Sequence, residues 1–131
     1  MIKVGWDNDE KTIIIYHVED DWSAADFFAL SVQIDRMIDT VEHVVDIIGV
    51  YHRANIPSGD FIFDAGGVPF RKKHPRRGRE YFVGMNYFLN NMASTLHRTY
   101  PDTYNDLALA PTTDEARKQI AELKEKRKPK R

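Results

Sequence analysis

Apolar residues fall along the chain in two rhythms: short alternating or continuous runs rich in β-branched and aromatic side chains, and longer stretches in which they recur every three or four positions. The first rhythm suits strands, the second amphipathic helices. Ile2 to Trp6 and Thr12 to Val18 are strand-like and are separated by Asp7-Asn8-Asp9-Glu10, which is rich in turn formers, so they predict an opening β-hairpin. Ser23 with Asp26 three residues on has the form of a capping box, and Phe27, Leu30, Ile34, Met37 and Val41 follow at helical spacing. A helix over 24–40 is expected. Val44 to Tyr51 is a run of apolar residues interrupted only by Asp46 and Gly49, the pattern of a central strand covered on both faces.

The second half continues the alternation. Pro57 has the fixed φ of a first helical turn and would open a short helix, which Gly66-Gly67-Val68-Pro69 must end. After a basic loop, Glu80 to Met85 reads as another buried strand. Asn86 is a good cap for a helix carrying Leu89, Met92, Leu96 and Tyr100, stopped by Pro101. Asp106 to Ala110 is short and strand-like; Thr112 with Glu115 repeats the capping box, and Ala116, Ile120 and Leu123 form a last apolar stripe. Helices between consecutive strands imply right-handed crossovers and mainly parallel pairing. The expectation is one α/β domain over residues 1–125: a five-stranded mixed sheet, made of an N-terminal hairpin plus parallel strands, with about four helices. Residues 126–131 are expected to be a basic, disordered tail.

Composition narrows the chemistry. The 131 residues fit one domain, and the absence of cysteine excludes disulfides, thiolate metal sites and cysteine nucleophiles. No uncharged apolar stretch approaches the ~20 residues of a membrane span, and Met1-Ile2-Lys3 leads straight into a strand pattern, so a cytoplasmic protein is expected. The net charge of −1 hides an asymmetry. Residues 1–64 carry thirteen acidic against four basic side chains, a net of −9; residues 65–131 carry fifteen basic against seven acidic, a net of +8. Arg71 to Arg79 and Lys124 to Arg131 are the dense basic clusters. They would suit phosphate-rich partners, but no groove-reading helix or stacking platform accompanies them, so nucleic acid is not the expected partner.

In an open parallel sheet, ligands bind beyond the carboxyl ends of the strands. His52, Arg53, Asn55, Ser58 and Gly59 follow the central strand, Asn86 the next, and Thr112 and Thr113 the last, so these positions should share one rim. Helix N-termini on that rim would favour an anion, and Arg53 could grip it through two bonds. The same residue types also serve as plain helix caps. His17, His43, His52, His74 and His97 lack the spacings of a helical or a single-strand metal pair, so no metal site and no cofactor are expected. No nucleophile elbow or glycine-rich phosphate loop is present, and a non-catalytic protein is expected. Aromatic residues between Trp22 and Phe88 leave open a carrier for a small lipid or nucleotide. Phe61 and Phe63 on an interrupted helix would support a homodimer.

This order of elements resembles the STAS domain of bacterial anti-sigma-factor antagonists, over roughly residues 2–125. Local support comes from Pro57-Ser58-Gly59, His74-Pro75-Arg76-Arg77-Gly78, Tyr100-Pro101 and Thr113-Asp114-Glu115-Ala116. In that family the helix after the central strand opens with Asp-Ser-Ser/Thr-Gly, whose last hydroxyl is phosphorylated by the anti-sigma kinase. Ser58 falls on the hydroxyl and Gly59 on the glycine, while Ile56 stands in place of the aspartate and Pro57 of the first serine. The resemblance implies a regulatory module that binds a protein partner, an anti-sigma factor or kinase, or a small anionic ligand, with Ser58 as candidate phosphorylation site.

Overall fold

A computed structural model of the chain describes residues 2–19, 24–52, 74–84 and 107–127, with Ser94 and Arg98 as single helical positions. The elements are β1 (Ile2–Trp6), β2 (Ile13–Val18), α1 (Ala24–Asp39), β3 (Val45–Tyr51), β4 (Arg77–Val83), β5 (Leu107–Ala110) and α2 (Thr113–Arg127). The strands form one mixed sheet in the order β1-β2-β3-β4-β5. β1 pairs antiparallel with β2, and the remaining pairs are parallel. Among the described residues there are two helices, not about four; the predicted helices after Pro57 and over 86–100 lie outside them, apart from Ser94 and Arg98.

The hairpin turn is organised by Asn8. Its side-chain oxygen accepts the Thr12 and Ile13 N–H groups at 3.0 and 3.3 Å, while its amide donates to the Thr12 hydroxyl at 2.7 Å. These bonds hold Lys11 in the left-handed region at φ 57°.

Strand alternation sends side chains to two faces, each with its own core. Ile14, Tyr16 and Val18 meet Leu30, Ile34 and Ile38 of α1 together with Ile47 and Phe82. On the opposite face Ile13, Ile48, Val50, Tyr81 and Val83 pack with Ala116 and Ile120 of α2. Every residue of β3 is buried, as a strand with a helix over each face requires.

Two departures from the predicted boundaries have tertiary causes. β4 begins at Arg77, three residues before the predicted start, because its charged and glycine positions find partners inside the fold. Gly78 lies where any Cβ would collide with the Asp46 carboxylate. The register passes from Val45 opposite Arg77 to Ile47 opposite Glu80, so β4 carries one extra residue. That bulge turns Arg77 and Glu80 to the same face, although residues three apart in a regular strand face opposite ways. The last helix runs to Arg127, past the predicted boundary at 125, because Arg127 bonds Asp46 of β3 and Lys124 bonds Thr12 of the hairpin turn; residues 128–131 lie outside the described residues.

Candidate functional site

Parallel pairing brings the carboxyl ends of β2, β3, β4 and β5 to one edge of the sheet. His17 is the penultimate residue of β2, and His52 follows β3 immediately. The His52 N–H donates to the Val18 carbonyl at 3.0 Å, which continues the ladder by one bond and fixes the His52 backbone beside β2. Both side chains then stand on the α2 face, two residues apart in register, since His17 is opposite Val50.

Their rings meet in an unusual way. His17 Nδ1 and His52 Nε2 are 2.9 Å apart, the ring planes differ by 12° and the centroids are 5.2 Å apart. That centroid separation equals the hydrogen-bond length plus one ring radius at each end. The two nitrogens therefore lie on the line joining the centroids, and the rings are arranged end to end in nearly one plane, not face over face. An N–H of one imidazole donates to the lone pair of the other. Burial, reinforced by the charge of His52 and of Lys3, holds the His17 pKa below its ordinary value, while Glu19 and Asp7 act in the opposite sense. Lys3 and Glu19 are themselves an exposed ion pair at 3.4 Å.

At the far side of the same edge, Thr112 and Thr113 follow β5 and begin α2. The Thr112 hydroxyl accepts the Glu115 N–H at 3.1 Å and its carbonyl accepts the Ala116 N–H at 3.1 Å, the bonding of an N-cap. Its hydroxyl is thus engaged within the helix. Of the positions expected on the rim, His52, Thr112 and Thr113 are described and stand at this edge; Arg53, Asn55, Ser58, Gly59 and Asn86 lie outside the described residues, as do Phe61 and Phe63.

A second polar group is enclosed beneath α1. Tyr16 lies across the central strand, over Gly49, where any Cβ would collide with its Cζ and hydroxyl oxygen. Its hydroxyl reaches the Tyr51 hydroxyl at 3.0 Å and donates to Glu80 Oε2 at 3.4 Å. Arg77 donates to Glu80 at 2.5 Å and sits 3.6 Å from Asp35 of α1. Burial and the neighbouring Tyr51 and Glu80 push the Tyr16 pKa well up, so the hydroxyl keeps its proton. The adjoining void, lined by Tyr16, Ser31, Arg77 and Glu80, is about 10 Å³, too small for an organic ligand. A larger groove of about 310 Å³ runs between β1 and α1, lined by Ile2, Val4, Asp26, Ala29, Leu30 and Gln33. The aromatic residues Tyr81 and Phe82 are core, whereas Phe28 is exposed.

The basic cluster is largely committed within the fold where it is described. His74 bonds Asp39 at 2.7 Å, Arg76 reaches the Ile38 carbonyl at 3.4 Å near the end of α1, and Arg79 lies over the Tyr81 ring at 5.9 Å. Sequence reasoning placed these residues in a loop and did not single out His17, Tyr16, Asp46 or Glu80. The signal for His17 was there: it stands one residue before the end of one strand run, and His52 directly follows the next, so parallel pairing makes them neighbours.

Among the described residues no helix is long and apolar enough to cross a membrane. Neither a family model, nor a curated protein, nor a solved structure matches the chain.

Proposed function

We propose that this chain is a non-catalytic regulatory or interaction module of the anti-sigma-factor-antagonist kind, which receives an anionic group of a protein partner or small ligand at the carboxyl edge of its parallel sheet. The observation that carries the reading is the His17 and His52 pair at that edge, beside the strand ends and facing solvent on the His52 side. Two protons taken up by the neutral pair convert its N–H···N bond into two imidazolium donors, and an anion between them offsets their repulsion. The Thr112-capped start of α2 adds its positive dipole end to the same edge. The hairpin followed by successive parallel strands is the layout expected of such a module. Ser58, which lies outside the described residues, is the proposed phosphorylation position.

Calorimetric titration with inorganic phosphate at pH 6 and low salt tests the reading. Binding should weaken with added salt, with rising pH and in His52→Ala. No binding under these conditions would remove the anion-receiving role. Incubation with a cognate kinase and mass spectrometry tests Ser58 separately, and an unmodified Ser58 would remove the switch. The groove between β1 and α1 favours one alternative, a small-ligand carrier, because its volume lies at the lower end of ligand pockets. Native mass spectrometry separates the two: a co-purifying lipid or nucleotide supports the carrier, a bare mass the interaction module.

A further inference from the structure

We propose that His17 and His52 form a two-imidazole binding site for one zinc or copper(II) ion, the metal occupying the place between the rings that the shared proton holds in its absence. The argument is geometric. Two imidazole nitrogens already face each other from adjacent strands along one line, and imidazole is a preferred donor for these borderline ions. Zinc to imidazole nitrogen bonds run about 2.0–2.1 Å, so a tetrahedral ion needs the nitrogens roughly 3.3 Å apart. The present 2.9 Å must open by only a few tenths of an ångström, together with a turn of the rings that brings the lone pairs to an angle. His52 can supply this movement, because its side chain is exposed while its backbone is held by the bond to Val18.

The proton balance is simple. In the metal-free pair one contacting nitrogen carries hydrogen; on binding, that ring shifts its proton, through solvent, to its other nitrogen, and both contacting nitrogens become donors to the metal. At pH above the pair's titration no net proton is released. Below it, each imidazolium must lose one, so affinity falls with acid. No group of three ligating side chains forms among the described residues, so water completes the shell. This site rests on the ring geometry and not on the anion-binding reading, and its pH dependence has the opposite sign.

Titration of zinc chloride into the full chain at pH 7.5, followed by calorimetry, tests it. One ion should bind per chain, His17→Gln and His52→Ala should each weaken binding at least tenfold, and His43→Ala and magnesium in place of zinc serve as controls. Far-UV spectra establish that the variants fold; neither side chain belongs to either core cluster. Absence of binding at millimolar zinc would overturn the proposal. So would affinity that survives in both variants, or that is lost in only one.

Discussion

Tyr16 reaches Tyr51 and Glu80 only because residue 49 has no side chain, so a glycine in the middle of a central strand is here a packing requirement. Gly49→Ala should destabilise the fold by about 2–4 kcal/mol, since the ring must move and its hydroxyl bonds are lost with it. Tyr16→Phe keeps the ring and should cost only about 1 kcal/mol. Urea unfolding of the two variants checks the order; equal losses would deny Gly49 its role. The raised Tyr16 pKa has a pH signature. Above pH 10 the unfolded chain releases the phenol proton while the folded chain retains it, so stability should fall as pH rises beyond 10, and less steeply in Tyr16→Phe. None of this was legible in the sequence, where Gly49 interrupts a strand run and Tyr16 sits among apolar neighbours; the contact that explains both crosses from β2 over β3 to β4.

At the scale of elements, α2 is fastened by charge as much as by burial. Ala116 and Ile120 are its buried residues. Arg127 grips both oxygens of the buried Asp46 carboxylate at 2.9 Å, and the same carboxylate accepts the Arg79 N–H at 2.8 Å. Arg117 similarly takes both oxygens of Asp7 in the hairpin turn, at 2.9 and 2.7 Å, and Lys124 bonds the Thr12 hydroxyl at 2.5 Å. Asp46→Ala should cost about 2–3 kcal/mol, discounted from a fully buried pair because Arg127, one-third exposed, can turn to water. Arg117→Ala should cost less than about 1 kcal/mol, since its guanidinium is more exposed. Amide exchange read along α2 should quicken most over its last turns in Asp46→Ala. The apolar stripe Ala116, Ile120 and Leu123 and the cap at Thr112 made this helix legible, but periodicity does not show where a charged terminus finds its partner. The tail residue Arg127 and the strand residue Asp46 are 81 positions apart. The same limit applies to the start of β4, where Arg77-Gly78-Arg79 resembles a loop until Asp35, Asp46 and Glu80 are brought against it.

The whole molecule is a sheet with a polarity, its parallel strands all ending at the edge that carries His52, Thr112 and Thr113. That much follows from helices and strands in alternation, and the five strands and the two described helices were readable in kind from period and caps, though not the start of β4 or the end of α2. The pairing of His17 with His52 is implied by the positions of both residues at the ends of consecutive strand runs, but only once those runs are known to be parallel neighbours in this register. Since folding lowers the His17 pKa, the unfolded chain takes up its proton first as pH falls below 6.5. The associated stability is intact above that value and is lost as pH falls through the folded pKa, so acid unfolding should be less steep in His17→Gln across this window. The most direct test of the rim as the binding surface is the backbone amide spectrum during titration with inorganic phosphate at pH 6. Shifts concentrated at residues 17–19, 50–52 and 110–113 are predicted; shifts confined to the opposite edge, around Thr12, Val44 and Arg76, or no shifts at all, would contradict it.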